Sequence, residues 1–146
     1  MANKSTGKLI NDGKDSEGIF ERWIRSLGFA IFRLRDKRDL HGLNNRSVAA
    51  FGQPSDYVVV TPTGAYLAEV KSTQEKTSFP FSCFTKAQVA AMAQCFSCNV
   101  ADNYIVYIHN LNTNQWYFTN ANHIITIFKK NRKSLRWEEL SLLGEI

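Results

Sequence analysis

The amino-acid sequence predicts an α/β fold, in which a mixed central β-sheet is flanked by helices. Three segments have the apolar spacing or the capping residues of helices, and five runs have the β-branched and aromatic residues of strands. These segments follow one another in the order α-β-β-β-α-β-β-α. Groups of strands separated by single helices are typical of a sheet that is covered by helices.

The first helix is predicted to begin at Ser16 and to end at Gly28. Its apolar residues recur at i, i+3, i+4 and i+7, the period of a helix with one buried face, at Phe20, Trp23, Ile24 and Leu27. The polar residues 1–15 before it are predicted to form a flexible arm. Residues 16–146 are long enough for a single domain with its own core.

The next three elements are predicted to be strands. The first covers residues 29–35 and is followed by a polar, basic connection over residues 36–53. The other two, at residues 56–61 and 65–71, flank Pro62-Thr63-Gly64, whose residues favour a turn. Two strands joined by so short a turn form a hairpin.

The second half of the chain adds two helices and two strands. Thr85-x-x-Gln88 is a capping-box signature, which predicts a helix that begins here and runs to about Cys98. A pair of strands and a last helix are predicted beyond it, at residues 104–109, 115–119 and 122–130. The basic residues 129–133, with Arg136 further on, are predicted to be a solvated segment.

Composition limits the classes of function. The 146 residues include 18 Lys and Arg against 13 Asp and Glu, a formal charge of +5. This surplus favours an anionic partner, of which nucleic acid is the commonest. No secretory signal and no apolar run near the ~20 residues of a membrane helix is found in the sequence. A cytoplasmic protein without a membrane partner is therefore expected.

The cysteines and histidines form no recognisable ligand pattern. Cys95-x-x-Cys98 has no second pair at the spacing of a zinc site, so both residues are predicted to be small apolar residues in the core of a helix. The odd number of cysteines, with Cys83 as the third, fits a reducing compartment. No chemistry is assigned to the three histidines, His41, His109 and His123.

Asp56, Glu69 and Lys71 are the candidate catalytic residues. Two carboxylates can hold a hard divalent cation, and a lysine beside them can orient or deprotonate a water. Glu69 and Lys71 share one face of their strand because they are two residues apart. Asp56 reaches that face if the hairpin loop has four residues, 62–65, or if the strand has a bulge, whereas a three-residue loop alone turns it to the other face, opposite Val70.

The alternative interpretation of these charges is a ladder of opposite charges on a solvent-exposed edge strand. Apolar neighbours favour the catalytic interpretation, because unpartnered charges on a buried strand are costly. These neighbours are Val58, Val59, Val60, Leu67, Ala68 and Val70. Glu21 on the first helix also has two interpretations, an ordinary i,i+4 contact with Arg25 or a further oxygen ligand that faces the hairpin.

Several short motifs follow one another in an order known from one family. They are Gly18-x-Phe20-Glu21, Ser55-Asp56-Tyr57, Glu69-Val70-Lys71-Ser72-Thr73, Thr77-Ser78-Phe79-Pro80-Phe81, Ala87-Gln88 and Gln115-Trp116-Tyr117-Phe118. Together they resemble the PD-(D/E)XK nuclease superfamily and, within it, the RecU-type Holliday-junction resolvases. The resemblance covers residues 16 to 120 and implies a restriction-endonuclease-like fold.

The resemblance also implies a role for each residue of the candidate site. Asp56 and Glu69 bind Mg²⁺ or Mn²⁺, helped by the Val70 carbonyl. Lys71 aligns and activates the water that attacks a phosphodiester, and it stabilises charge on the phosphate.

Two further residues receive supporting roles from the resemblance. Glu21 is implied to be a carboxylate that either supports the ligands of the first metal ion without binding it or binds a second metal ion. Gln88 is implied to steady the lysine or the water, although it also suits a plain capping role. The chain departs from the family in having Ala87 where the family has His. Only residues 36–55 are available for the stalk that the family inserts into a junction, so a stalk here is short.

DNA and a second copy of the chain are the expected partners. Contacts are expected mostly to phosphates, because shape rather than sequence distinguishes a branched substrate. The candidate DNA-binding residues are Lys37, Arg38 and Arg46, followed by Arg33, Arg35, Lys76 and the hydroxyls of Ser78 and Thr73. Symmetric cleavage of a junction implies a two-fold homodimer. Trp116, Phe118 and Trp137 are candidates for its interface or, alternatively, for the core.

Two other functions stay open on the sequence alone. One is a nuclease of the same fold that acts on other DNA, as restriction or repair enzymes do. The other is a DNA-binding module that keeps the fold but does not cut.

Overall fold

In the computed structural model, which describes residues 12–34 and 52–146, one six-stranded sheet carries helices on both faces. The helices in this part of the chain are α1 (Asp12–Ser26), α2 (Lys86–Ser97) and α3 (Ala121–Phe128). Its strands are β1 (Ala30–Arg33), β2 (Tyr57–Thr61), β3 (Gly64–Thr73), β4 (Ser78–Pro80), β5 (Tyr104–Asn110), β6 (Gln115–Asn120), β7 (Ser134–Arg136) and β8 (Ser141–Gly144).

The large sheet is mixed, as the sequence predicts. Its strand order is β1-β2-β3-β5-β6-β8, and every neighbouring pair is antiparallel except β3 and β5, which are parallel. The parallel connection from β3 to β5 contains α2, as a crossover between parallel strands usually contains a helix. Strands β4 and β7 pair outside this sheet as a separate two-stranded ribbon.

Two apolar cores hold the helices against the sheet. On one face, Phe20 and Ile24 of α1 pack with residues of β2, β3, β5 and β6. On the other face, the core combines Met92 of α2 and Ile124 of α3 with Val106 and Ile108 of β5 and with the ribbon. Residues that alternate along β3 therefore face different helices, which decides where each charged side chain of this strand points.

The first helix differs from the prediction at both ends. It begins at Asp12, so residues 12–15, which were assigned to the arm, are helical, while residues 1–11 lie outside the described part. Leu27 was predicted on the buried stripe but is 47% exposed. The helix ends at Ser26, and Gly28 has a φ of 79°, so the chain has already left the helical path at Leu27.

Three short strands, β4, β7 and β8, were not predicted. Each has only three or four residues, too few to show an alternating pattern, and each forms by pairing with a distant segment. The ribbon and β8 also order most of the chain beyond α3, where only a solvated segment was predicted.

One prediction about an individual side chain was wrong, and two alternatives are decided. Cys98 is exposed at the end of α2, although Cys95 packs against the core. Trp116 and Trp137 are buried, so they belong to the core rather than to an exposed interface, and Phe118 is half-buried.

Within the described residues, no helix is long and apolar enough to span a membrane.

Candidate active site

The hairpin of β2 and β3 brings Asp56 and Glu69 together through a turn shorter than either predicted loop. Thr61 pairs with Gly64, which leaves two residues, Pro62 and Thr63, in the loop. The register then pairs Tyr57 with Ala68 and places Asp56 opposite Glu69, on the same face. Both the four-residue and the three-residue loops were wrong, but the two-residue loop achieves what the four-residue loop was required for. Gly64 has a φ of 151°, which suits glycine at this sharp corner.

Glu69 is the most deeply buried acid of the site, with 1% of its surface exposed. Its Oε2 accepts a hydrogen bond from the Asp56 backbone N–H at 3.1 Å, and its Oε1 accepts one from Gln88 Nε2 at 2.6 Å. Burial, with the nearby Asp56 carboxylate as the second cause, raises the pKa of Glu69 to about 8, although Lys71 opposes this rise. Without a cation, Glu69 is therefore largely protonated at neutral pH.

Asp56 lies at the entrance to β2, held by the neighbouring strand. Its Oδ2 accepts a hydrogen bond from the Val70 backbone N–H at 2.9 Å. Burial raises the pKa of Asp56, while the Val70 N–H, the Lys71 ammonium and a hydrogen bond with Glu69 act in the opposite direction. The two acids thus form one coupled carboxyl pair, not two independent surface charges.

Lys71 and Gln88 complete a group of four residues, here called the carboxylate–lysine cluster, with Asp56 and Glu69. Lys71 Nζ lies 3.0 Å from Glu69 Oε1 and donates a hydrogen bond to Gln88 Oε1, also at 3.0 Å. The ammonium lies 5.7 Å from the centre of the Phe84 ring. These fixed contacts on a half-buried lysine argue against the exposed charge ladder that was the alternative interpretation.

Gln88 makes the contacts that both interpretations of this residue require. The predicted capping box is present, because Gln88 N–H donates to Thr85 Oγ1 and the Thr85 N–H donates to Gln88 Oε1. The same side chain contacts Lys71 and Glu69. The start of α2 is thereby tied directly to the cluster.

The segment before Asp56 is fixed by a residue that the sequence did not single out. The buried Tyr104 hydroxyl, from β5, donates a hydrogen bond to the Pro54 carbonyl. The Ser55 hydroxyl donates to the Tyr57 carbonyl at 3.0 Å, and the Leu34 N–H donates to the Asp56 carbonyl at 2.8 Å. Nothing in the local sequence marks Tyr104, because its contact joins residues 50 positions apart.

Glu21 lies beside the cluster, not inside it. Its Oε1 accepts a hydrogen bond from the Tyr57 hydroxyl at 2.7 Å, and the ordinary i,i+4 contact with Arg25 is also present, at 3.3 Å. Glu17 lies one helical turn before Glu21. Burial raises the pKa of Glu17, and the Asp56 carboxylate raises it further. The closeness of Glu17 to Asp56 arises only because α1 packs against the sheet.

Arg33 links the two helix acids to the sheet. Its guanidinium lies 2.8 Å from Glu17 Oε2 and 3.8 Å from Glu21 Oε1. It also lies 5.9 Å from the centre of the Tyr57 ring. The contact of Arg33 with DNA stays a prediction; in this structure its exposed guanidinium pairs with Glu17 and Glu21.

The donor set of the cluster suits a hard divalent cation. In the described ranges, no three His, Cys, Asp or Glu side chains converge at metal-binding geometry. Of the two carboxyl groups that do converge, Glu69 is buried and Asp56 is half-buried; burial raises the pKa of both, and the Asp56 carboxylate adds to the rise at Glu69. A divalent cation would remove that cost, and oxygen ligands are those preferred by Mg²⁺ and Mn²⁺. Asp56 and Glu69 therefore fit the group, with the Val70 carbonyl as a third candidate ligand.

The predicted DNA contacts have different outcomes. Lys76 is exposed and Ser78 is half-buried on β4, close in sequence to the end of β3. Thr73 is buried, and its hydroxyl accepts a hydrogen bond from the Glu75 N–H at 3.2 Å, which argues against a contact with DNA. Four predicted residues and one histidine lie outside the described residues, namely Arg35, Lys37, Arg38, Arg46 and His41.

Known proteins resemble the chain in sequence and in structure. A sequence profile of the family Recombination protein U matches residues 30–145. Hjc from Archaeoglobus fulgidus, a Holliday junction resolvase from an archaeal hyperthermophile, matches in structure with a TM-score of 0.56 and 16% identity, over 90% of this chain and 96% of that one. D212, a nuclease from a fusselovirus, has a TM-score of 0.47 and 11% identity, over 89% and 82% of the two chains. No curated protein matches the sequence.

The likeness to Hjc confirms the predicted restriction-endonuclease-like fold. The sequence match differs in extent from the resemblance noted in the motifs, since it begins after α1 and continues through β7 and β8. It spans most of the chain and contains all four residues of the carboxylate–lysine cluster. The chain therefore belongs to the Recombination protein U family.

Proposed function

We propose that this chain is a metal-dependent endonuclease that resolves Holliday junctions by hydrolysing phosphodiesters in two strands symmetrically. The observation that carries the proposal is the convergence of Asp56, Glu69, Lys71 and Gln88 from two strands and a helix. The family's link to recombination and the junction-resolving activity of the structural relative Hjc support this choice of substrate.

The residues of the cluster divide the work of hydrolysis. Asp56 and Glu69 would hold Mg²⁺ or Mn²⁺, which supplies Lewis-acid stabilisation of the charge on the phosphate. The Lys71 ammonium lies beside these carboxylates, where it orients a water and stabilises the negative charge that develops on the phosphate. Gln88 keeps the ammonium in position through the contact at 3.0 Å. Water attacks phosphorus in line and releases a proton to solvent, the opposite P–O bond breaks, and the departing oxygen takes up a proton from solvent.

The active form is proposed to be a homodimer. A four-way junction offers two equivalent strands, so two sites related by a two-fold axis cut both in one complex. Light scattering with and without a junction tests this assembly. A dimer is expected in the complex. The proposal of a dimer would be contradicted if a monomer in dilute solution made both cuts as fast as the protein does in concentrated solution.

A comparison of substrates tests the activity. Under Mg²⁺, the wild-type chain is expected to make paired, symmetric nicks in a four-way junction and to cut flaps and linear duplex slowly. Lys71→Ala is expected to lose cleavage by at least about 100-fold and to retain junction binding. Equal cutting of linear duplex would indicate a nuclease of another kind. Persistent cleavage by Lys71→Ala in a clean preparation would refute the proposed site.

A further inference from the structure

The ribbon of β4 and β7 has one apolar face and one polar face. Phe79 and Leu135 pair across its two strands, and both are fully buried in the core next to α2 and α3. Ser78 and Arg136 also pair directly, and because neighbouring residues of a strand alternate in direction, they lie on the outer face. Arg136 has 63% of its side chain exposed.

The basic charge of this outer face is only weakly neutralised. Lys133, just before β7, is exposed and forms no ion pair with any described residue. The contacts of Arg136 with Glu138 and Glu139 are both long, at 3.7 Å, and exposed pairs of this kind contribute little. Arg132 differs, since it is held by Glu139 at 2.6 and 2.7 Å. Arg136 on the outer face and Lys133 just before β7 are therefore cations that a ligand can reach.

A chain of contacts joins the ribbon to the carboxylate–lysine cluster. The Phe84 ring lies 5.7 Å from Lys71 Nζ and 6.5 Å from the Phe81 ring, and the Phe81 N–H donates to the Lys133 carbonyl at 2.8 Å. Three successive contacts thus connect the ammonium to the Lys133 end of the ribbon, and one turn of duplex DNA, about 34 Å, is long enough to reach both. A second contact, from Trp137 Nε1 to the Glu75 carbonyl, fixes the far end of β7 to the loop after β3.

We propose that the outer face of this ribbon and the exposed position just before β7 bind the phosphate backbone of the DNA arm that leaves the active site, with Arg136 and Lys133 as the principal cations and the Ser78 hydroxyl, opposite Arg136, as a further donor. This inference rests on the proposed function for its substrate. It gives a task to the basic segment near the C-terminus, which catalysis does not use. Guanidinium and hydroxyl groups are common donors to phosphate oxygens, and such contacts position a duplex without reading its sequence.

Changes of charge in both directions test the ribbon. Binding of a fluorescent four-way junction is measured by anisotropy in EDTA, so that no strand is cut, at several salt concentrations. Arg136→Ala and Lys133→Ala are each expected to weaken binding roughly 5- to 10-fold near 0.1 M salt and to lower the salt slope by about one. Glu138→Gln is expected to tighten binding about 2-fold or more, because it removes a negative charge that touches only Arg136 among the described residues.

Arg22→Ala is the matched control, since Arg22 is an exposed arginine on α1, the helix on the opposite face of the sheet. Its binding is expected to equal that of the wild type. Arg136→Lys keeps the charge and is expected to restore most of the affinity that Arg136→Ala loses. A misfolded ribbon cannot explain tighter binding by Glu138→Gln, and Lys133→Ala removes a side chain from an exposed position outside the strand.

The outcomes separate this inference from the proposed function. If the wild type binds junctions while Arg136→Ala and Lys133→Ala match Arg22→Ala, the ribbon proposal is wrong and the proposed function stands. If the variants weaken binding as expected but the wild type cuts no junction with Mg²⁺, the ribbon proposal stands and the proposed function fails. If the wild type binds no DNA at all, both are refuted.

Discussion

Lys71 and Gln88 are joined by a hydrogen bond of 3.0 Å, in which the lysine ammonium donates to the glutamine side-chain oxygen. The same oxygen accepts the Thr85 N–H at 2.9 Å, and the amide nitrogen donates to Glu69 at 2.6 Å. One amide group therefore caps α2 and sets the distance between a buried acid and its lysine. Displacing the start of the helix must displace the ammonium as well.

Gln88→Ala should consequently lower both activity and stability. Loss of the contact leaves the ammonium free to move, and a misplacement of this kind costs roughly 10- to 100-fold in cleavage rate. Loss of the cap costs about 1 kcal/mol in the free energy of unfolding. Thr85→Ala is the control, because it removes the cap's hydroxyl acceptor but leaves Gln88 in contact with Lys71. Single-turnover cleavage and urea unfolding measure the two effects, and equal cleavage rates for the two variants would contradict the role of Gln88.

Tyr104→Phe should weaken the affinity for the metal ion without unfolding the chain. The lost hydroxyl holds the Pro54 carbonyl, two residues before Asp56, so Asp56 becomes less well placed. Groups that orient a ligand from behind typically change metal affinity by 10-fold or more. The Mg²⁺ concentration for half-maximal cleavage should rise roughly 10-fold, and excess Mg²⁺ should restore the rate.

Tyr66→Phe is the matched control for that experiment. Its hydroxyl is also hydrogen-bonded between strands, to the Tyr107 hydroxyl at 2.9 Å, but it faces the core beneath α1. It should lose stability to a similar extent and keep the wild-type dependence on Mg²⁺. If both variants have the same half-maximal Mg²⁺ concentration, Tyr104 has only a structural role.

The sequence predicts those parts of the fold and the site whose signals are local. The spacing of Phe20 and Ile24 marks the buried face of α1. The start of α2 is marked by the capping box of Thr85 and Gln88, whose residues lie within one helical turn. The acids of the cluster were found because each lies within a short motif. In each case, the residues that carry the signal are neighbours in the chain.

The misplaced features depend on contacts between distant residues. The register of the hairpin followed from how tightly Pro62 and Thr63 turn, and a difference of one residue there reverses a whole face. Tyr104 reaches Pro54 and Glu17 approaches Asp56 only after the strands and α1 have assembled. The ribbon strands are too short to be recognised from an alternating sequence pattern. Their stability comes from pairing with each other and from burial of Phe79 and Leu135.

The stability of the metal-free chain should fall as the pH rises from about 4.5 to about 8. The pKa of Glu69 is about 8 in the folded chain, against an ordinary value of 4.5. In this window the folded state keeps a proton that the unfolded state has released, so its contribution is complete below pH 4.5 and is lost through pH 8. The raised pKa of Asp56 acts in the same direction. Glu139, whose pKa Arg132 and the Arg136 N–H lower to about 2, titrates below this window.

Glu69→Gln isolates this effect from the other groups that titrate. Its free energy of unfolding, measured with urea in EDTA, should fall by roughly 2 to 5 kcal/mol less than that of the wild type between pH 4.5 and 8. The difference in stability between the two proteins should therefore shift in favour of the variant as the pH rises to 8, although the variant cannot cleave DNA. Parallel pH profiles for the two proteins would mean that Glu69 ionises normally in the folded state.

Mg²⁺ should stabilise the folded chain, and more strongly at pH 8 than at pH 6. Binding must displace the proton of Glu69, which competes less as the pH approaches 8. At a metal concentration about 10-fold above the dissociation constant, the gain is about 1.4 kcal/mol, or roughly 3 to 5 °C in Tm. Asp56→Asn should abolish the gain, since the amide keeps the contact with the Val70 N–H but loses the charge. Glu138→Gln, at a carboxylate with 69% of its side chain exposed, should retain it. Thermal melts with and without Mg²⁺ measure the gain. Equal stabilisation of the wild type, Asp56→Asn and Glu138→Gln would place the cation away from the cluster.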